Sequence, residues 1–517
     1  MALLRFTATV GGYTLISRIL GFVRDVAIAH FAAAGPVADA FFVAFRFPNM
    51  FRRLVGEGAF ANAFVPLFAR RLEGTGRAGA LAFAEQALAV MLASMFVLLL
   101  VAELAMPWLI SALAPGFAAD PERYALTVEL TRITFPYLLF MAMVALLGAV
   151  LNALLRFAAA AAAPILLNIV LIASLFGLGH VLETPGHALA WGVAAAGAGQ
   201  FLFMLIACNR AGAPLRLRRP RLTPGVRRLL ILMVPGLVGA GVHQINLLVS
   251  TIVASFQEGA VSFLYYADRL VQLPLGVVGV AMGVALLPLL ARQLRGDMRE
   301  AAMDSQNRAI EFALLLTLPA TAALLAVPGP IVAVLFQHGA FDAADTAATA
   351  AALVAYAAGL PAYVLVKVLS PGFFAREDMV VPVKIAAASM ILNVALAAAL
   401  FLPFGHVGVA VATAAASWLN ALLLAFVLHR RGHFSVDARL RVRVPRMLFA
   451  ALAMAGAVFG LAWLLEPALT GSMALRIAAL AGLVFAGLVV FAGLAVATGV
   501  ARPDELRRLV RRTGRKG

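Results

Sequence analysis

Residues 477–500 read IAALAGLVFAGLVVFAGLAVATGV, an apolar stretch without a single charged side chain. A helix needs roughly 20 such residues to cross ~30 Å of hydrocarbon. Comparable runs occur at Ala87–Ala102 and Pro164–Leu178. Lipid offers backbone N–H and C=O groups no water to bond, so each run must satisfy its own backbone as a helix. The rest of the 517 residues follows suit: 63 % are hydrophobic, 13 % are charged, and mean hydropathy is +0.98. A soluble domain dilutes its core with a charged exterior and does not reach such values. The chain is therefore expected to be an all-α polytopic membrane protein.

Apolar runs set against polar breaks give about fourteen transmembrane spans. They are expected near residues 6–30, 38–69, 80–112, 124–153, 158–178, 187–208, 226–255, 261–291, 308–336, 346–372, 379–402, 407–429, 444–465 and 473–499. The loops test that count. One set is basic: Arg70, Arg71 and Arg77; Arg156; Arg210 to Arg228; Arg292, Arg295 and Arg299; Arg376; Arg430 to Arg443; and the tail from Arg502 to Lys516. The alternate loops carry almost no Lys or Arg, and only Arg123 breaks the pattern. A miscounted span would invert the alternation part-way. By the positive-inside rule both termini face the cytoplasm. The net charge of +17 then reads as attraction to anionic phospholipid headgroups, and nucleic acid is not an expected partner. The single cysteine, Cys208, allows no internal disulfide. No cleavable signal peptide is expected, because the first helix carries Arg18, Arg24 and Asp25.

The chain also repeats. Pro66-Leu67-Phe68-Ala69-Arg70-Arg71-Leu72 answers to Pro288-Leu289-Leu290-Ala291-Arg292-Gln293-Leu294, Phe135-Pro136-Tyr137 to Leu360-Pro361-Ala362-Tyr363, and Arg156 to Arg376. The offsets are 222 for Arg70/Arg292, 225 for Pro136/Pro361 and 220 for Arg156/Arg376. That spacing equals six spans, so both repeats enter the membrane from the same side. Parallel repeats suggest two six-helix bundles around a central cavity with alternating access. The expected division is 1–209 for the first bundle, 210–228 for a basic linker, 229–430 for the second bundle, 431–500 for two extra helices and 501–517 for a basic tail.

Charge within spans is costly and usually marks a cavity or a partner. It is concentrated in Arg18, Arg24 and Asp25 of span one, in Asp39, Arg46, Arg52, Arg53 and Glu57 of span two, and in Asp268 and Arg269 of span eight. The arginines outnumber the acids, and guanidinium groups suit the paired oxygens of a phosphate or diphosphate. Arg53 and Glu57, four residues apart, also suit simple mutual neutralisation, as do Asp39 and Arg46, seven apart. Lys367 and Lys384 are placed to snorkel to the surface. His243, Gln244, Asn246 and Asn393 suit hydrogen bonds between helices or a cation site, with packing favoured. Gly21, Pro48, Pro274 and Gly276 are expected at hinges. Metal-ligand spacing, a phosphate loop and a nucleophile–base pair are all missing, so no catalytic residue, metal or cofactor is expected and the chain is not read as an enzyme.

The ordered motifs resemble a known family. Ser17-Arg18-Ile19-Leu20-Gly21-Phe22-Val23-Arg24-Asp25, Asp39-Ala40-Phe41-Phe42-Val43-Ala44-Phe45-Arg46-Phe47-Pro48-Asn49, Arg52-Arg53-Leu54-Val55-Gly56-Glu57-Gly58-Ala59-Phe60, and Tyr265-Tyr266-Ala267-Asp268-Arg269-Leu270 with Pro274-Leu275-Gly276 resemble the MurJ/MviN lipid II flippases. The likeness covers essentially the whole chain. It implies a member of the superfamily of multidrug, oligosaccharidyl-lipid and polysaccharide exporters in the bacterial inner membrane. Lipid II would be the substrate, Arg18, Arg24, Arg52 and Arg269 the substrate-binding set, and Asp25, Asp39, Arg53, Glu57 and Asp268 the gating or charge-pair set. It further implies that the last two spans form a groove for the polyprenyl tail. A flippase for another polyprenyl-diphosphate saccharide shares the same physics. A drug exporter for cations would need acidic, aromatic sites, and a scaffold for cell-wall enzymes would leave the membrane arginines unexplained. Some members use an acid on span seven for sodium. Val234–Phe256 holds neither Asp nor Glu, so no sodium site is expected, and the membrane potential is the expected driving force. The chain is expected to act as a monomer, with cell-wall synthesis machinery as a candidate partner.

The orientation has a direct test. With Cys208 replaced by Ser, cysteines at Arg77 or Arg219 should resist a membrane-impermeant maleimide in intact spheroplasts. Cysteines at Glu183 or Asp342 should react, and the reverse pattern would invert the topology.

Overall fold

A computed structural model describes residues 2–51 and 60–500. Arg52, Arg53, Glu57 and the tail beyond residue 500 lie outside the described residues. The elements are α1 (Ala2–Ala32), α2 (Pro36–Phe51), α3 (Phe60–Gly74), α4 (Gly76–Leu104), α5 (Met106–Leu113), α6 (Pro121–Thr134), α7 (Tyr137–Ala153), α8 (Phe157–Leu178), α9 (Pro185–Arg210) and α10 (Pro224–Ala254). They continue with α11 (Ala260–Arg295), α12 (Arg299–Ala326), α13 (Pro328–Phe336), α14 (Ala343–Phe374), α15 (Val380–Phe404), α16 (His406–Arg430), α17 (Ala438–Leu464), the single turn α18 (Glu466–Leu469) and α19 (Met473–Ala497). No strand occurs among the described residues.

The helix starts are written in the sequence. Asp120, Thr184, Thr223 and Asp437 each accept the N–H three residues on, and in the first three a proline follows at the first helical position. The cap satisfies one orphan donor, while the proline gives up an N–H that has no partner there. Ten helices among the described residues are long and apolar enough to cross a membrane, with Pro121–Ala153 counting as one. The other expected spans are one, two, seven and eight, which fall on α1, on α2 with α3, on α10 and on α11. These occupy matching places in the two repeats and include all the spans where charge is concentrated. Three of the four exposed tryptophans, Trp108, Trp191 and Trp463, lie near the helix ends opposite the basic loops, as expected of an interfacial aromatic belt, while Trp418 sits mid-way along α16 and donates to the Ala358 carbonyl.

Packing divides the chain into two units: residues 1–262 with 338–342, and residues 263–337 with 343–517. This grouping differs from the linear division at 209 and 229, because α10 packs on α3 and α4. In the first unit Phe60, Phe64 and Phe68 recur every four residues on α3, and Phe64 stacks on Phe83 of α4 at 5.3 Å. Leu146 and Val150 of α7 and Val226 and Leu229 of α10 complete that core. In the second unit Ala313 and Leu314 of α12 meet Val364 and Val368 of α14, Leu424 and Leu428 of α16, and Leu440 and Met447 of α17. The last two long helices meet through small residues. A Cβ on Gly487 of α19 would lie 3.1 Å from Val458 of α17, a spacing that lets the backbones approach closely.

The repeat is visible in the packing. The pair α8 and α9 is answered by α15 and α16, and the pair α7 and α9 by α14 and α16. The turns match as well: Leu155 and Glu377, 222 residues apart, both adopt left-handed backbone, with φ of 60° and 61°. Each unit also uses an acid on its third span to hold the segment that follows its sixth. In the first unit the buried Glu85 of α4 accepts from the Arg216 N–H at 3.1 Å and from Arg218 Nε at 2.6 Å. Gln86 donates to the carbonyls of Arg219 and Arg221. In the second unit the buried Glu311 of α12 gathers Arg308, Arg439 and Arg443, and Arg308 also pairs with Asp437. The basic linker is thus fastened to its bundle.

Arg443 is as buried as Glu311, so removing the acid strands a charge. Glu311→Ala is expected to cost roughly 3 kcal/mol or more. The detergent-purified protein should melt several degrees lower, whereas Glu300→Ala, at an exposed position on the same helix, should leave the melting temperature unchanged.

Candidate functional site

In the first unit the charged residues of α1 separate into two kinds. Arg24 is 7 % exposed and Asp25 2 %. The Arg24 guanidinium donates through Nε and Nη2 to Asp25 Oδ1, at 3.1 and 2.7 Å, and through Nη1 to Asn168 Oδ1 of α8 at 3.0 Å. Asn168 is fixed in turn by donating to the Ser17 carbonyl at 3.0 Å. Although the arginines outnumber the acids in these spans, Arg24 is held by the acid next to it. Arg18 is exposed and has no ion pair or hydrogen bond among the described residues. It lies six residues from Arg24, about 9 Å along the helix axis. Helix α1 runs unbroken through Gly21, where an added Cβ would meet the Asn168 amide at 3.7 Å.

Asp39 forms a second centre in the first turns of α2. It is fully buried and accepts from the Gly259 N–H at 2.8 Å, the Ser262 N–H at 2.9 Å and the Ser262 hydroxyl at 2.6 Å. Those amides belong to the start of α11, where unpaired N–H groups favour an anion. Arg123 of α6 stands 3.8 Å from Asp39 and lies over the Phe117 ring at 4.2 Å. The expected neutralisation of Asp39 by Arg46 is therefore replaced by a helix start and Arg123. Arg46 reaches the Leu247 carbonyl of α10 at 3.1 Å. Beneath Asp39, α2 packs on α6 through the wholly buried Thr127, Thr131 and Thr134, and Thr134 donates to the Ala44 carbonyl at 3.2 Å. Gly116 lets the turn after α5 close on the end of α10, since any Cβ would lie 2.4 Å from the Ser255 carbonyl.

In the second unit Arg269 of α11 donates to the Tyr265 hydroxyl at 2.8 Å and sits 4.7 Å from the centre of that ring. Asp268 accepts from Gln272 one turn on. Helix α11 continues through Pro274 and Gly276, and Pro48 is buried within α2. Among the polar residues of spans seven and eleven, Gln244 and Asn393 are buried, while the His243 side chain lies outside the described part. No group of three metal-ligating side chains occurs among the described residues.

Sequence reasoning missed Arg123, Asn168, Gly259, Ser262 and Tyr265 as members of these centres. Arg123 had left a signal as the one basic residue on the wrong side of the loop pattern. Asn168 had left another, as the only amide inside the apolar run Pro164–Leu178.

The family described as lipid II flippase MurJ matches residues 28–479. The chain is 46 % identical to a probable lipid II flippase MurJ of Rhizobium meliloti (strain 1021), over 99 % of this chain and 97 % of that protein. This chain belongs to the lipid II flippase MurJ family. A probable lipid II flippase MurJ of Vibrio cholerae is 36 % identical, with 97 % of each chain covered. Among solved structures, a lipid II flippase MurJ in an inward closed conformation has a TM-score of 0.79 at 24 % identity, covering 94 % of this chain and 98 % of its own. An inward-facing multidrug resistance MATE family transporter of the MOP superfamily has a TM-score of 0.67 at 16 % identity, covering 83 % of this chain and 98 % of its own. The chain thus has the fold common to this family and to the MATE transporters.

The Asp39 centre makes a graded prediction. Ser262→Ala removes one hydroxyl donor and should cost about 1 kcal/mol. Asp39→Ala leaves two amides and Arg123 without their acceptor and should cost roughly 3 kcal/mol or more. Melting of the purified protein should rank them in that order, and equal effects would contradict the assigned contacts.

Proposed function

We propose that this chain moves lipid II from the inner to the outer leaflet of the bacterial cytoplasmic membrane, with both termini in the cytoplasm. The family relationship, which runs along nearly the whole chain, supports the reading. The observation that carries it is Arg18, an arginine exposed on a membrane helix with no ion pair or hydrogen bond among the described residues, about 9 Å along the axis from the pre-oriented Arg24. A charge in that position is costly unless an anion meets it.

The lipid II diphosphate is that anion. Arg18, Arg24, Arg52 and Arg269 bind it, and bidentate guanidinium geometry matches its oxygens. Asn168 and Asp25 orient Arg24, and Tyr265 orients Arg269. The residues Asp25, Asp39, Arg53, Glu57 and Asp268 act in gating or charge balance, with Asp39 holding and releasing the start of α11. The tail lies along the last two long helices. A diphosphate diester carries two negative charges, and each gains ~2.3 kcal/mol per 100 mV when moved outward against a negative interior. The membrane potential therefore drives export if the empty carrier returns without the same charge. Nothing in this scheme makes or breaks a covalent bond, so the protein is a carrier and not an enzyme.

The test is rescue of cells depleted of their own lipid II flippase, read as external accessibility of lipid II. The unaltered chain should restore it. Arg24→Ala and Arg269→Ala should insert normally and rescue to a tenth or less, consistent with ~1.5–3 kcal/mol for a charge-assisted hydrogen bond. Arg24→Lys and Arg269→Lys should be nearly as defective. Full rescue by the alanine variants would overturn the arginine assignment. Insertion without any rescue by the unaltered chain would move the reading to another polyprenyl-diphosphate saccharide.

A further inference from the structure

A cavity of about 340 Å³ opens in the first unit where three membrane helices end on the basic side. Its walls come from Thr9 of α1, Leu155 and Phe157 at the turn from α7 to α8, and Ala207 of α9, with Arg156 and Arg210 among the lining residues. Both arginines are exposed, and neither side chain has an ion pair or hydrogen bond among the described residues. In the second repeat the same turn, aligned on its left-handed residue, places Asp378 opposite Arg156, and its N–H bonds the Phe373 carbonyl as the Arg156 N–H bonds that of Leu151. The expected match of Arg156 with Arg376 is thus shifted by two residues, and Arg376 donates to the Gly372 carbonyl.

The turn itself is unusual. The Arg156 N–H closes it on the Leu151 carbonyl at 2.8 Å, and Leu155 takes the left-handed backbone that normally selects glycine. Its side chain is nevertheless 64 % exposed. The matching position in the second repeat is Glu377, so an apolar side chain held out beside an arginine is particular to the first unit. Arg156 is also the N-cap of α8 and supplies no side-chain cap, which leaves the positive end of that helix facing the same place.

Two unpartnered guanidinium groups, a helix start and apolar walls at the membrane surface combine cation and hydrocarbon recognition. We propose that this cavity binds the headgroup of an anionic glycerophospholipid, its phosphate engaged by Arg156 and Arg210 and its acyl chain lying along Leu155 and Phe157. The volume suits a glycerol-phosphate headgroup and is too small for a disaccharide carrying a peptide, so the site is separate from the transport substrate. It rests on the orientation proposed above only for the leaflet, which is the inner one.

Native mass spectrometry of the full-length protein in detergent tests the site, with phosphatidylglycerol and phosphatidylcholine of identical chains as probes. Phosphatidylglycerol should be retained preferentially. Arg156→Gln with Arg210→Gln should lower its retention about tenfold and leave phosphatidylcholine unaffected. Ala207→Phe, which fills the cavity while keeping both arginines, should lower it as well. Arg228→Gln with Arg441→Gln, two exposed arginines elsewhere, should not. Unchanged retention in either test variant overturns the proposal. So does an equal loss in the control pair, which would indicate a diffuse basic surface, or complete displacement by equimolar inorganic phosphate, which would indicate a plain anion site. Unchanged melting temperatures keep misfolding from being read as lost binding.

Discussion

A charge placed in hydrocarbon must be compensated, and most of the polar architecture of this protein follows from that requirement. The backbone meets it by becoming helical throughout. Side chains meet it by pairing: Arg24 with Asp25 and Asn168, Asp39 with two amides, a hydroxyl and Arg123. Against that background an exposed arginine such as Arg18, without an ion pair or hydrogen bond among the described residues, becomes informative, because an uncompensated charge in a membrane helix is costly.

The two repeats solve a second problem in the same way. A polar segment leaving the last helix of a bundle could wander, and in each unit a buried glutamate on the third span prevents this. Glu85 binds the linker through a backbone N–H and Arg218, whereas Glu311 binds three arginines. The chemistry differs in detail, but the anchoring point is shared. The C-terminal pair α17 and α19 is thereby attached to the second unit at its basic end through charge and along its length through close helix packing.

Much of this was legible in the sequence. Helix ends fell close to the expected limits, because Pro and the capping residues Thr and Asp fix them locally. The repeat was readable from short motifs separated by similar offsets. Partner choice was not readable, because it depends on which helices meet. Asp39 and Arg46 share a helical face, yet Asp39 pairs with residues more than 80 and more than 200 positions away. Asn168 stood out as the lone amide in an apolar run, but its partner became readable only from the packing of α8 on α1. Arg123 was visible as an exception to the loop pattern, and its burial over Phe117 explains why it does not obey a rule made for solvated loops.

The pairing of Arg24 with its own chain neighbour bears on speed. A carrier has to let go as readily as it takes hold, and a guanidinium buried in low dielectric would hold a dianion for a very long time. Asp25 is a rival anion tethered one residue away, at an effective concentration that dissolved ligands do not reach. In the proposed role of Arg24, every incoming phosphate would have to displace it, and every departing one would find it waiting. The acid would then set a ceiling on affinity and shorten residence, turning a potential trap into a site suited to turnover.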